Sequence, residues 1–257
     1  MRHMILYGCT SHPGKVRAVN QDNFACFGQY MHAGNLKKTF PLQGSCDSRS
    51  KPLFGVFDGM GGEQFGEEAS YLASRLASKF HPGLNCKKAL LQYCREANLE
   101  ICDFADKNHI HSMGTTAAMI LFQGQQAHIC NIGDSKVLRF RGGRLEQLSK
   151  DHLCFAPFGV KPALSQSLGI PPEKMRLEPF YAKADCSPGD LFLICSDGLT
   201  DMLTNQEIQA VLASDPSPRA ISRLLELALA NGGKDNVTII LCKFEEAASA
   251  LSRKHTG

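Results

Sequence analysis

The chain has 257 residues, a formal net charge of +3, 43% hydrophobic residues and 21% charged ones. That is an ordinary globular balance, long enough for a sizeable core in one or two domains. The small charge argues for neither nucleic acid nor membrane, no apolar run approaches the roughly 20 residues of a span, and the mixed N-terminus does not read as a secretory signal.

Residues 4–10 read as a first strand. A polar loop over 11–23 follows, carrying Arg17 and Asp22. The planar fork of an arginine suits a phosphate, although a lone arginine is also common as a solvated surface residue. A second short strand is expected over 24–27. Residues 28–52 are less regular and read either as a strand pair with a mobile loop or as an insertion. Their cations Lys37, Lys38, Arg49 and Lys51 suit a solvated face, or contact with an acidic or phosphorylated partner.

Residues 53–57 form an apolar strand that stops on Asp58, followed by Gly59-Met60-Gly61-Gly62. Glycines here permit a tight turn and a close backbone approach. Helical periodicity is expected over 64–80 through Phe65, Ala69, Leu72, Ala73, Leu76 and Phe80, and over 84–108, with Pro82-Gly83 between. The pattern then switches to strands over 114–122 and 126–133, and to a hairpin over 137–140 and 144–148 around Gly142-Gly143. This run of hairpins argues for antiparallel sheet. Residues 149–188 read as a long proline-rich loop, of a kind that is often functional. A buried strand is expected over 190–197, and Thr204-Asn-Gln-Glu207 matches a capping box opening a helix. Another helix starts at Ser217-Pro218, the last strand covers 237–244, and 245–257 is a frayed or disordered tail.

Eleven scattered cysteines show no C-x-x-C pair and no zinc spacing. Several, such as Cys130, Cys195 and Cys242, sit inside apolar runs, where a thiol acts as a small hydrophobe. They read as free thiols in a reducing cytosol.

Four carboxylates recur in one setting: Asp58, Asp134, Asp197 and Asp235 each stand at the end of an expected strand, beside glycine or asparagine. One such Asp-Gly is ordinary turn chemistry. Four converging ends would make a hard, oxygen-rich site of the kind that holds Mg2+ or Mn2+.

In chain order, Arg17-x-x-Asn20-Gln21-Asp22, Phe57-Asp58-Gly59-Met60-Gly61-Gly62, Met113-Gly114-Thr115-Thr116, Gly133-Asp134-Ser135, Asp151-His152, Ser167-Leu168-Gly169, Ser196-Asp197-Gly198-Leu199-x-Asp201 and Asp235-Asn236-Val237-Thr238 resemble the metal-dependent PPM (protein phosphatase 2C) family of serine/threonine phosphatases, in its bacterial stand-alone form. The resemblance implies an α+β fold, a four-layer α-β-β-α sandwich of two antiparallel sheets flanked by helices. It implies a single phosphatase domain over 1–246, with a flap-like loop near 151–188 and a tail over 247–257. It also implies two Mn2+ or Mg2+ ions and a weaker third. By analogy Asp58 bridges two metals, Asp197 and Asp235 hold one of them, and the Gly59 carbonyl helps hold the other. Asp22 acts through a water, Asp134 with Asp197 contributes to the third site, and Arg17 clamps the substrate phosphate. The implied reaction is direct attack on phosphorus by activated water, without a covalent enzyme intermediate. The implied partners are phosphorylated proteins and a cognate Ser/Thr kinase that the enzyme opposes, with no nucleic acid and no membrane. The expected protein is a cytoplasmic monomer.

Three positions depart from a common family pattern. Gln21 stands where eukaryotic members carry Glu, which weakens one metal site. Met60 replaces a proton-donating His, so protonation of the leaving alcohol passes to water. Lys136 replaces an Arg after Asp134-Ser135 and reads as structural.

Other phosphatase chemistries do not fit, since no cysteine is followed six residues later by arginine and there is no Asp-x-Asp. The glycine loop lacks the Lys-Ser/Thr of a P-loop. A catalytically silent phosphoprotein-binding module of the same fold predicts loss of Asp58, Asp197 and Asp235, and all three are present. A regulatory phosphatase of a sporulation or stress pathway would change the partner but not the chemistry.

Overall fold

Alternating strands and amphipathic helices sort the chain into four layers. A computed structural model describes residues 2–32, 40–60, 65–157 and 159–247. The strands are β1 (His3–His12), β2 (Asp22–Cys26), β3 (Gln29–Tyr30), β4 (Leu42–Asp47), β5 (Leu53–Met60), β6 (Gly114–Thr115), β7 (Ala117–Gln123), β8 (Gln126–Ile132), β9 (Lys136–Arg141), β10 (Arg144–Gln147), β11 (Phe180–Asp185), β12 (Leu191–Cys195) and β13 (Val237–Glu246). The helices are α1 (Gly66–Ser78), α2 (Cys86–Lys107), α3 (Asp197–Thr200), α4 (Asn205–Ser214) and α5 (Ala220–Ala230).

One sheet runs β10-β9-β12-β13-β1-β4, and the other β11-β8-β7-β5-β2-β3 with β6 added on β5. The strand pairings are antiparallel. Between the sheets lie Ile5, Phe24, Phe54, Phe122, Phe192 and Phe244. Helices α1 and α2 cover one outer face through Ala69, Leu72, Leu90 and Ile101. Helices α4 and α5 cover the other through Ile208, Leu212, Leu224 and Ala228. Central strands are therefore buried on both faces, which is why β12 reads as an unbroken apolar run. The α+β sandwich expected from the sequence is the observed architecture.

Several expectations change. β5 does not stop at Asp58, because Gly59 and Met60 continue into pairing with Thr115 and Gly114. Among the described residues of 28–52 the two strands do not pair with each other: β3 joins β2 in one sheet, while β4 joins β1 in the other. The proline-rich 149–188 segment contains β11, an edge strand on β8. Its half-exposed alternation, Phe-Tyr-Ala-Lys-Ala-Asp, is a weak signal inside a loop-like context. β13 runs on to Glu246 because its end pairs with His3 and Met4, so the tail begins later than expected. Lys37, Lys38, Gly61, Gly62, the expected helix start at Gln64 and most of the tail lie outside the described residues.

The capping box is present: the Thr204 side chain accepts from the Glu207 N–H, and Glu207 accepts from the Thr204 N–H at 2.8 Å. Thr204→Ala should cost about 1 kcal/mol. Calorimetry should then show a fall of about 2–4 °C in Tm.

All eleven cysteines are free, and all but Cys154 are buried. No described helix is long and apolar enough to cross a membrane.

Candidate active site

The strand ends of both sheets deliver carboxylates to one cavity of about 270 Å3. Its lining includes Asp58, Gly59 and Asp134 from the first sheet's partner layer, and Asp197 and Asp235 from the ends of β12 and β13. Arg17 reaches it from the loop after β1. Six of the seven expected site residues therefore converge. Asp22 lies behind them. It is buried, sits opposite Asp58 in the β2–β5 register, and accepts from the Ser196 hydroxyl at 2.7 Å.

The motif residues that carried no assigned role hold this arrangement in place. Asp58 is anchored by Thr116, whose hydroxyl accepts from the Asp58 N–H at 3.0 Å, and by Thr115, whose hydroxyl donates to the Asp58 carbonyl at 2.9 Å. His152 clips the Asp134 turn: its ring Nδ1 accepts from the Gly133 N–H, and its backbone N–H donates to the Gly133 carbonyl. Asn236 ties down the Arg17 loop. Its side chain donates to the Pro13 and Val19 carbonyls and accepts from the Gln21 N–H. The glycines are steric: a Cβ on Gly59 would stand 2.1 Å from the Gly66 carbonyl oxygen.

Gathering carboxylates raises the cost of ionising them. Burial, then the charges of Asp22, Asp197, Asp134 and Asp235, push Asp58 well above the usual carboxylate range. Burial pushes Asp22 up to about 7 despite hydrogen bonds from Ser196 and Thr238. Burial and then Asp197 push Asp134 up to about 6. A site of this kind attracts cations. The chain's own cations already answer it. Arg17 donates to Asp235 at 2.7 Å, and Lys161 donates to Asp197 at 2.6 Å and to Asp201 at 2.8 Å. Among the described residues no three His, Cys, Asp or Glu side chains stand as a closed ligand cluster. The oxygen-only donor set nonetheless fits a hard divalent ion.

Lys161 went unnoticed in the sequence because it lies in the proline-rich segment with no motif around it. Gln21 lines the cavity and donates to Glu67 at 3.0 Å. Met60 also lines it. Lys136 pairs with Asp151, in keeping with its structural reading.

The family model described as protein phosphatase 2C matches residues 40–236. The chain belongs to this family. The matched span takes in Asp58, Asp134, Asp197 and Asp235, while Arg17 and Asp22 precede it. Among protein phosphatase 2C relatives, the serine/threonine protein phosphatase PstP of Mycobacterium tuberculosis is 30% identical over 259 residues, covering 93% of this chain and 45% of that protein. The chain thus spans less than half the length of PstP. The serine/threonine phosphatase stp of Listeria monocytogenes is 28% identical, covering 89% of this chain and 91% of that one. The crystal structure of the PstP catalytic domain in complex with two manganese ions aligns with a TM-score of 0.75 at 28% identity, over 95% of this chain and 100% of that one.

Proposed function

We propose that this chain is a metal-dependent phosphatase that hydrolyses phosphoserine and phosphothreonine in proteins. The observation that carries the reading is the convergence of Asp58, Asp197, Asp235 and Arg17 on one cavity within a protein phosphatase 2C fold. The family and a manganese-bound neighbour support metal dependence.

Asp58, Asp197, Asp235 and the Gly59 carbonyl would hold two Mn2+ or Mg2+ ions. Asp134 with Asp197 would serve a weaker third, and Asp22 would act through a water. Bound there, divalent ions supply positive charge to the phosphoryl oxygens and lower the pKa of water. The chain's own residues do the rest. Arg17 lies at the cavity wall, half-exposed, with a fork of donors that orients a phosphate. Asn236 fixes the loop that carries it. Met60 holds no transferable proton, so the leaving alcohol takes its proton from solvent. The single phosphatase unit over 1–246, a cytoplasmic monomer opposing a Ser/Thr kinase, remains part of this reading; the buried free thiols suit a reducing compartment.

Phosphate release from a phosphothreonine peptide should require Mn2+, stop with EDTA and disappear in Asp197→Asn. A folded chain that binds Mn2+ and releases nothing from several peptides would instead mark a phosphoprotein-binding module.

Arg17→Ala should raise KM for a phosphopeptide by about tenfold or more, the worth of a charge-assisted hydrogen bond, with a smaller change in kcat. Steady-state kinetics check this. A variant with unchanged KM would remove Arg17 from phosphate binding.

A further inference from the structure

Beside the catalytic cavity lies a second groove of about 430 Å3, and Met60 and Leu164 line both. We propose that this groove binds the substrate polypeptide next to the phosphoresidue, taking an apolar side chain beside the phosphate and an acidic one beyond it. The inference rests on the phosphatase reading and names a substrate class for it.

Continuity is the first argument. The catalytic cavity is lined by carboxylates and cations, so the polypeptide flanking a phosphoryl group held there must leave it. An extended chain advances about 3.3–3.6 Å per residue, so the neighbouring side chain meets the wall that the two spaces share. That wall is the Met60 and Leu164 side chains.

The chemistry of the groove is the second. Met60, Leu164, Ile170 and Pro171 give it apolar sides, above buried Met113. Its rim carries exposed Lys174 and His111. Among the described residues its lining includes no carboxylate, whereas the adjoining cavity presents four. An acidic side chain therefore gains a cationic neighbour here, and a basic one meets Lys174 unfavourably.

Rigidity is the third. The groove floor is built into the fold before any ligand arrives. Thr115 and Leu168 exchange backbone hydrogen bonds at 3.1 and 2.9 Å. The Asn98 side chain, reaching from α2, accepts from the Gly169 and Ile170 N–H groups at 2.8 and 3.2 Å and donates to the Ile170 carbonyl at 3.0 Å. A Cβ on Gly114 would come within 2.7 Å of the Leu168 carbonyl oxygen, so only glycine lets these segments close up. A preformed surface spares the ordering cost of binding an extended peptide.

The test uses the full chain with Mn2+ and phosphothreonine peptides that differ only at the residues flanking the phosphothreonine, with p-nitrophenyl phosphate as a substrate too small to reach the groove. On one side of the phosphoresidue, kcat/KM should favour Leu over Gly by about tenfold, the scale of discrimination by an apolar pocket. One or two positions further on it should favour Glu over Lys by about threefold, the scale of an exposed ion pair. Lys174→Glu, an exposed change that leaves the core untouched, should reverse the Glu/Lys preference when each rate is taken relative to p-nitrophenyl phosphate. Turnover of p-nitrophenyl phosphate with equal kcat/KM for all peptides, or a Glu/Lys preference indifferent to Lys174→Glu, would overturn the groove and leave the phosphatase reading standing. A wild-type chain that turns over neither substrate would overturn both.

Discussion

Asp58→Asn should raise the Tm of the metal-free chain while sharply lowering the proposed phosphatase activity. The two effects share one cause. Asp58 is enclosed at the cavity wall and faces Asp22, Asp134, Asp197 and Asp235, which together with burial hold its carboxyl well above the usual range. At neutral pH, where the unfolded chain carries this carboxylate ionised, burial and the neighbouring charges oppose that charge in the folded state and so work against folding. Asparagine keeps the shape and the Thr116 and Thr115 backbone contacts, and removes the charge. Relief of that repulsion should raise Tm, each kcal/mol being worth about 2–4 °C in a chain of this size. Loss of a carboxylate proposed to hold metal should lower kcat by about a thousandfold, comparable with removing a preorganised electrostatic group. Mn2+ should stabilise the wild type and add little to the variant, which differential scanning fluorimetry with and without metal reads directly. A destabilised metal-free variant would show that Asp58 is held by favourable contacts rather than opposed by its neighbours.

The same charges predict a pH dependence. Asp22 is pushed up to about 7 and Asp134 to about 6, both above their unfolded values. Between the unfolded and folded pKa values the folded chain binds more protons, so stability falls as pH rises through the folded values. Burial lowers His12, His128 and His152, which act in the opposite direction as pH falls below about 6.5. The carboxylate effect is therefore read between pH 6.5 and 8, where Tm of the metal-free chain should decline. Saturating Mn2+ should flatten that decline, and Tm measured across this window in EDTA and in Mn2+ checks it.

The second large effect is steric. Gly198→Ala should unfold or strongly destabilise the chain. A Cβ at Gly198 would stand 1.9 Å from the Asn236 carbonyl oxygen and 2.9 Å from its carbonyl carbon. Both are backbone atoms, so no side chain can swing aside. The backbones after β12 and before β13 must separate, and these segments carry Asp197 and Asp235. Asn236 would move with them, and its bonds to Pro13, Val19 and Gln21 hold the Arg17 loop. Overpacking costs about 1–3 kcal/mol where a core can relax and more where it cannot. A fall of about 10 °C or more is expected from such a loss. Gly83→Ala is the control, because nothing lies within 4 Å of a Cβ there. Equal Tm values for the two variants would show that the Gly198 contact is slack.

Most of this architecture was legible in the chain because its cues are local. Apolar periodicity placed α1 and α2, the Thr204 box placed α4, and unbroken apolar runs placed β5, β8, β12 and β13. Asp58, Asp134, Asp197 and Asp235 could be picked out because each ends such a run beside residues that allow a turn. What stayed hidden depends on partners far away in sequence. β11 exists because β8 offers it an edge, and its own alternation is too weak to show. β3 and β4 belong to different sheets, which no local pattern reveals. β5 continues through Gly59 and Met60 because β6 lies alongside. Lys161 reaches Asp197 and Asp201 only once the proline-rich segment folds back over the cavity, and Asn98 staples residues 169–170 from a helix some seventy positions earlier. Residue types and their spacing determined the elements and the chemistry available. Long-range pairing decided which of those groups meet, because a cavity is made by chain segments whose contact energies appear only after the sheets have packed.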